Sequence, residues 1–225
     1  MPEAAARHAV RALRLKTGDP IKLFNGEGGE YQGTIASIEN DAVRVILAAH
    51  SPAERESGLD VTLVQALATS DKMDWIVQKA VELGVTRVQP MLARRCVLRL
   101  EGERAERRAA HWQAVAIAAC EQSGRNRVPR VLPLCSLVQA IALAHAALKI
   151  ALSPDEGVAL NSIDAAQRPV AFFVGPEGGF SAEEQDAMRR AQCRFVSLGP
   201  RVLRAETAGV AALAAMQILW GDWKF

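Results

Sequence analysis

The sequence lacks several features that would assign it to common classes of protein. It has no run of roughly 18 or more apolar residues, so it predicts no membrane-spanning helix. Its N-terminus shows no basic stretch followed by an apolar one, and we therefore expect a cytoplasmic protein. The four cysteines and four histidines are scattered, without metal-ligand spacing or a disulfide framework. This spacing predicts reduced, buried thiols and no metal site.

The 225 residues, half of them apolar, suffice for one large domain or for a small and a medium one. The pattern changes near residue 68. Before it, short β-rich runs separated by Gly and Asn turns predict a small antiparallel barrel or sandwich, the runs being 20–24, 31–39, 42–48 and 60–66. After it, helical and strand patterns alternate, which predicts an α/β fold with parallel strands covered by helices. Asp71 can cap a helix that ends near Gly84 and has an apolar stripe of Met73, Ile76, Val77, Ala80 and Val81, and Ser136 can cap a helix over residues 137–148. We therefore expect domains at residues 1–67 and 68–225.

Two glycine-bearing loops follow apolar runs near the C-terminus. Residues 175–180 read Gly-Pro-Glu-Gly-Gly-Phe, and residues 198–208 read Leu-Gly-Pro-Arg-Val-Leu-Arg-Ala-Glu-Thr-Ala. An open α/β sheet binds its ligand at the carboxyl ends of its strands. Gly178 and Gly179 have no Cβ and let a ligand approach the main chain. The loops therefore predict a small-molecule site built largely of backbone.

The same loops exclude two familiar kinds of site. Residues 175–179 lack the Gly-Lys-Ser/Thr ending of a phosphate-binding loop, and the glycine spacing is not the dinucleotide fingerprint. The alternative is that these glycines are turn residues between a strand and a helix that Ser181 and Glu184 begin with a capping box. A second such loop, carrying Arg201, Arg204 and Glu206, favours a binding site.

The two loops closely resemble the C-terminal motifs of the RsmE family. Residues 71–84 and 118–129 resemble internal signatures of that family, and residues 8–35 are similar to its small N-terminal β domain. The resemblance implies an S-adenosylmethionine-dependent methyltransferase of the trefoil-knotted SPOUT superfamily, acting on N3 of a uridine in small-subunit (16S) ribosomal RNA. It also implies a PUA-like RNA-binding domain in front and a homodimer.

The resemblance implies a cofactor pocket made from three loops, because residues 151–156 form a third. The cofactor-binding residues it implies are Leu152, Ser153, Pro154, Gly175, Pro176, Glu177, Gly178, Gly179, Leu198, Gly199, Val202, Leu203 and Ala208. Methylation at N3 requires removal of a proton and stabilisation of the resulting anion. Glu206 is the first choice as base and Arg204 as stabiliser of the anion, with Glu177 as a second carboxylate. Glu206 has an alternative role as a favourable charge at a helix N-terminus.

Arginines dominate the middle of the chain. Residues 87–130 contain ten arginines, no lysine and four acids, which is the charge pattern of a nucleic-acid-binding surface. A solvated helix face explains Arg104, Arg107 and Arg108, which lie beside Glu101, Glu103 and Glu106. The remaining candidates lie in loop-like or N-terminal stretches, and we expect RNA contacts from Arg11, Arg14, Lys16, Arg94, Arg95, Arg125 and Arg127, the last four in loop-like stretches without matching acids.

Residues 206–220 form a helical pattern that is apolar almost all round, which indicates burial in the core or at a subunit interface. Gly209 stands in this helix where the family usually has alanine. The chain also begins a few residues before His8, where family members usually have an additional strand. We therefore expect a β domain with an exposed edge.

Three alternatives to uridine N3 methylation stay open from the sequence. A related knotted methyltransferase would act on another RNA atom, such as a ribose 2′-hydroxyl or guanine N1. A catalytically silent RNA-binding factor in ribosome assembly would keep the fold without binding the cofactor, although the intact glycine loops argue against it. A nicotinamide-dependent oxidoreductase is the most distant, because its glycine fingerprint is missing.

Overall fold

The computed structural model describes residues 1–39, 42–144, 146, 148–163 and 169–224. The chain forms two compact units. The first comprises Met1–Arg55 together with Arg125–Arg127, and the second comprises Glu56–Gly124 together with Val128–Phe225. None of the helices among the described residues is long and apolar enough to cross a membrane.

The first unit is a small antiparallel sheet with a helical N-terminal segment. Its elements are α1 (Glu3–Arg7), a π-helical turn (His8–Ala12), β1 (Pro20–Leu23), β2 (Glu30–Glu39) and β3 (Ala42–Ser51), with the strands in the order β1-β2-β3. Ala6, Ile35 and Val43 form its buried core. The antiparallel pairing agrees with the sequence prediction for these three strands.

The second unit is an eight-stranded sheet with helices. Its elements are β4 (Val61–Ala66), α2 (Ser70–Glu82), β5 (Arg87–Leu92), α3 (Gly102–Ser123), β6 (Arg130–Val131), β7 (Cys135–Ser136), α4 (Leu137–Leu143), β8 (Leu148–Leu152), β9 (Val158–Ala159), a 3-10 turn (Leu160–Ser162), β10 (Val170–Val174), α5 (Ala182–Arg190), β11 (Arg194–Ser197) and α6 (Ala205–Trp220). The strand order is β6-β5-β4-β10-β8-β11-β9, with β7 also pairing with β5, and all described pairings are parallel. The predicted α/β fold class is confirmed.

One strand lies in a different unit from the one the sequence predicted. Residues 60–66 read as the last strand of the N-terminal β domain, yet β4 pairs in parallel with β5 and β10 in the second unit. Five of the six residues of β4 are buried. Such continuous burial is typical of a parallel strand covered on both faces, and it separates β4 from the alternating strands before it.

The helices of the second unit follow the predicted patterns closely. The apolar stripe of α2 is fully buried, and Gly84, with φ +81°, follows the helix end. Capping boxes begin α4 at Ser136 and α5 at Ser181, where the sequence placed both caps. The helix predicted over residues 137–148 ends at Leu143, and residues 145 and 147 lie outside the described residues.

Candidate active site

Three loops meet at one edge of the parallel sheet. The strands β10, β8 and β11 are neighbours and run in the same direction, so their carboxyl ends lie side by side. The segments that follow Leu152, Val174 and Ser197 are the three loops from which the sequence predicted a cofactor pocket. The strand pairing therefore brings together loops that are well separated in the sequence.

The loop after β8 is fixed to the neighbouring strand. The backbone N–H of Ser153 donates to the carbonyl of Val196 over 3.0 Å, and the Ser153 hydroxyl accepts from the N–H of Glu156 over 3.3 Å. The Glu156 carboxylate binds Arg189 of α5 at 2.6 Å. Ser153 is buried while Leu152 is half-buried and Pro154 is exposed, so the loop is anchored at Ser153 and accessible from Pro154.

The loop after β10 turns tightly over an aromatic ring. Phe180 packs so closely on Gly175 that a Cβ there would lie 3.2 Å from the ring. The N–H of Gly179 donates to the carbonyl of Pro176 over 2.8 Å, and Gly179 has φ +68°. No described atom lies within 4 Å of the point where a Gly179 Cβ would be. The loop thus has a packed base and a main chain that faces open space.

Two arginines that were predicted to bind RNA hold this loop and the helix after it. The Arg95 guanidinium donates to the carbonyl of Gly178 over 2.7 Å. The backbone N–H of Arg94 donates to Glu184 over 2.7 Å, and the Arg94 side chain forms an ion pair with Glu183 at 3.1 Å. Both arginines remain exposed, so these contacts position the loop and leave their role toward RNA as a prediction.

The loop after β11 leads into α6. Gly199 has φ +104° and, like Gly179, open space where a Cβ would be. Arg204 is the N-cap residue of α6 and is exposed. Its guanidinium has no hydrogen-bond or ion-pair partner within the described parts of the chain, and its donors are therefore available to a ligand. Of the other predicted residues here, Val202 is exposed, and Leu198, Leu203 and Ala208 are half-buried.

Lys72 joins the site and was missed by sequence reasoning. Its ammonium lies 3.0 Å from Glu177 and 3.3 Å from Glu206, which links the first turn of α2 to the loop after β10 and to α6. The hydrogen bond to Glu177 raises the pKa of Lys72. The pKa of Glu177 is lowered, first by a backbone N–H of its own residue and then by Lys72. The signal that could have identified Lys72 is its position in the first turn of a helix, where an anion is favoured over a cation.

Glu206 occupies a half-buried position in the first turn of α6. One of its carboxylate oxygens, Oε1, faces Lys72. The other, Oε2, is buried without a hydrogen-bond partner among the described residues. A buried carboxylate oxygen without a donor is costly, and Glu206 also lies in the first turn of α6, where a negative charge is favourable.

The remaining predicted RNA contacts lie in the first unit. Arg11, Arg14 and Lys16 are exposed. Arg125 is only 5% exposed, and Arg127 forms an ion pair with Glu54 at 3.0 Å. The premise that Arg94 and Arg127 lack matching acids was therefore wrong, because the fold brings Glu183 and Glu54 to them from distant parts of the sequence. Reversing the charge of either arginine would disturb the first unit before it tested RNA binding.

Gly179 and Gly199 leave room for a ligand beside the main chain of two of the three loops. Both have left-handed φ values and empty space beside the main chain, and a side chain at either position would fill that space. Backbone N–H and C=O groups suit an adenine edge and an amino-acid moiety. The neighbouring carboxylates of Glu177 and Glu206 suit a cationic ligand.

Comparison with known proteins agrees with this site. Residues 55–217 match the family model of an RNA methyltransferase domain, and residues 2–48 match that of an RNA methyltransferase PUA domain. The fold and site thus define an RNA methyltransferase preceded by a PUA domain. Ribosomal RNA small subunit methyltransferase E of Bacillus subtilis is 31% identical over 96% of this chain and 89% of its own length, and that of Mycobacterium tuberculosis is 32% identical over 96% and 84%. The chain belongs to the ribosomal RNA small subunit methyltransferase E family.

Solved structures show the same relationship. The Neisseria gonorrhoeae ribosomal RNA small subunit methyltransferase E bound to S-adenosylmethionine is 38% identical, with a TM-score of 0.93 over all of this chain and 92% of its own. A Legionella pneumophila protein in complex with the same cofactor is 34% identical, with a TM-score of 0.96 over 99% of this chain and 92% of its own. The predicted family is thereby confirmed.

Proposed function

We propose that this protein transfers the methyl group of S-adenosylmethionine to N3 of a specific uridine in small-subunit ribosomal RNA. The observation that carries the proposal is the meeting of three loops at one edge of the sheet, beside Lys72, Glu177 and Glu206, in a chain whose N. gonorrhoeae relative binds this cofactor. The related N. gonorrhoeae and B. subtilis proteins are named for methylation of small-subunit ribosomal RNA.

The backbone of the three loops holds the cofactor, which supplies an electrophilic methyl group on a positively charged sulfur. We assign this task to the predicted residues of the three loops, from Leu152–Pro154 through Gly175–Gly179 to Leu198, Gly199, Val202 and Leu203, with Ala208 of α6. Positioning alone supplies much of the rate of such a displacement. The family resemblance implies that these loops are threaded as a trefoil knot.

The chemistry at the base falls to residues around the start of α6. Arg204, exposed and without a partner among the described residues, stabilises the negative charge that develops on the uracil oxygens. The Glu206 carboxylate accepts the N3 proton. Lys72 is a positioning residue that holds Oε1 of Glu206 and keeps Glu177 in place.

The first unit binds RNA through Arg11, Arg14 and Lys16, while the target base leaves its stack and enters the site.

We further propose a cytoplasmic homodimer. Ile218 and Leu219 support a subunit contact, because they are 50% and 43% exposed on a helix whose other face is buried in the second unit. Sedimentation velocity measurements at several protein concentrations test the dimer.

The reaction is tested with methyl-labelled S-adenosylmethionine and small ribosomal subunits from cells that lack this modification, followed by mass spectrometry of the nucleosides. We expect labelled 3-methyluridine. Label in another nucleoside would replace the substrate atom while keeping the enzyme class. Absence of both label and cofactor binding would support the silent assembly factor.

A further inference from the structure

A groove lies between the segment after β5 and the first half of α3. Its volume is about 440 Å³, and its walls are formed by Leu98, Leu100, Arg104, Arg107, Arg108 and His111. All of these residues belong to the second unit. None of them is part of the three loops. The sequence had placed the three arginines on an ordinary solvated helix face.

The arginines share one face of α3 because they stand at positions i, i+3 and i+4 of the helix. Arg107 pairs with Glu103 at 3.2 Å, but both side chains are well exposed. Such a pair contributes little and releases its arginine readily to another anion. Glu101 and Glu106 form no ion pair with these three arginines among the described residues.

Arg104 and Arg108 have no carboxylate or other hydrogen-bond partner in the parts of the chain that the structure describes. Arg108 is half-buried, and a guanidinium carries five N–H donors that require acceptors when water is partly excluded. The acids in contact with other groove residues are Glu103, which pairs with Arg107, and Asp74, which is bound to His111 at 2.8 Å. The walls thus combine unmatched guanidinium donors with the apolar surfaces of Leu98 and Leu100.

We propose that this groove binds the phosphodiester backbone of the RNA substrate. Planar guanidinium groups match phosphate oxygens with paired hydrogen bonds. Leu98, which is half-buried, offers apolar contact to the ribose and base faces of a polymer, and a free inorganic anion does not use such a contact. The proposal rests on the proposed function, since it takes the substrate to be RNA.

Contacts to phosphate fix the register of an RNA on a protein and carry no sequence information. The groove therefore contributes affinity and orientation, while the chemistry and the choice of atom stay with the three loops. Loss of the groove is expected to weaken RNA binding, to leave cofactor affinity unchanged and to leave the methylated nucleoside the same.

The test compares the full-length protein with the double variant Arg104→Gln/Arg108→Gln. The matched control is Arg190→Gln/Arg194→Gln, which removes the same charge from two exposed arginines outside the groove. Affinity for unmethylated small-subunit ribosomal RNA is measured by filter binding at several salt concentrations. Titration with S-adenosylmethionine checks that each variant is folded, and methylation is assayed with the same RNA in small subunits.

The groove variant is expected to lose roughly 10-fold or more in RNA affinity. The slope of log K against the logarithm of the salt concentration is expected to be smaller in magnitude by about 1.4, the value for two lost contacts to a single strand. The control variant is expected to keep the wild-type slope. A groove variant with the wild-type slope, or a control that loses as much slope, would overturn the proposal. So would a variant that loses affinity for inorganic phosphate at constant ionic strength while RNA binding is unchanged.

Failure of the proposed function has a different signature. If the wild-type protein binds RNA and the groove variant shows the flatter slope, but no 3-methyluridine forms, the RNA-binding role of the groove is supported and the proposed reaction is contradicted. If the wild type makes 3-methyluridine and the slopes of wild type and groove variant are equal, the proposed reaction is supported and the role of the groove is contradicted.

Discussion

The ammonium of Lys72 lies 3.3 Å from the carboxylate of Glu206 and 3.0 Å from that of Glu177. This one side chain connects the first turn of α2 with the loop after β10 and with the first turn of α6. Without it, two carboxylates would face each other in a partly buried place, which is unfavourable. The structure therefore gives Lys72 a role in setting both the position and the charge of the acidic groups.

Replacing Lys72 with methionine is expected to lower the rate of methylation about 10- to 100-fold through misplacement of the loops. The lowered pKa of Glu177 depends in part on Lys72, so Glu177 should take up a proton more readily in the variant. The acidic limb of the pH–rate profile should then move to higher pH. Lys72→Arg, which keeps the charge, should keep the limb in place. A Lys72→Met enzyme with the wild-type profile would contradict the assigned role.

Arg204→Ala is expected to lower the rate of methylation by about 10²- to 10³-fold, because an exposed donor that meets developing negative charge contributes on this scale. Binding of S-adenosylmethionine and the unfolding midpoint should stay close to wild type, since the Arg204 side chain has no partner among the described residues. Arg194→Ala, at the amino end of β11, serves as the control. Normal activity of Arg204→Ala would remove this residue from the mechanism.

Gly209→Ala is expected to stabilise the protein. A Cβ at this position would lie 3.4 Å from Val174 and 3.5 Å from Gln65, which is ordinary van der Waals contact. Alanine favours a helix interior over glycine by about 1 kcal/mol. Thermal unfolding should show a higher Tm with unchanged activity. A lower Tm would mean that the contact with Val174 is too close for a methyl group.

Glu30 is expected to make the first unit sensitive to acid. Its pKa lies below the ordinary 4.5, chiefly because Lys22 donates a hydrogen bond to it and secondly because Arg55 does. A lowered folded-state pKa gives stability that is present above 4.5 and lost as the pH falls through the folded value. Hydrogen exchange in β2 should be faster in Glu30→Gln than in wild type at pH 7.

The difference between Glu30→Gln and wild type should shrink at pH values below 4.5. Glu27→Gln is the control, because Glu27 is exposed and its carboxylate has no ion-pair partner among the described residues. Equal exchange in Glu30→Gln and wild type at neutral pH would show that the ion pairs contribute nothing to the unit.

Sequence patterns predicted features that depend on neighbours along the chain. The capping boxes at Ser136 and Ser181 each involve residues three positions apart, and the stripe of α2 repeats within one helix. Features that depend on distant residues were missed. Lys72 meets Glu177 and Glu206 only after the sheet has formed, and Glu54 meets Arg127 across 73 positions. Local periodicity contains no information about such pairs.

The position of β4 illustrates the same limit. A short apolar run is compatible with either kind of sheet, and its sequence neighbours are antiparallel strands. The pairing with β10 that decides the matter involves residues 170–174, far along the chain. The glycine loops were predictable because their composition is unusual, whereas the residues of an ordinary strand do not indicate which other strand it pairs with.

The place of β10 between β4 and β8 has a consequence during synthesis. The strands β4 and β5 leave the ribosome early, but β4 keeps one open edge until residues 170–174 arrive. On the order of 100 residues separate the two, and translation of that length takes roughly 5 to 20 s. Throughout this interval the nascent chain presents an apolar strand edge of the kind that chaperones cover and neighbouring chains recruit. Slow codons in this interval should therefore lower the yield of native protein even though the amino-acid sequence is unchanged.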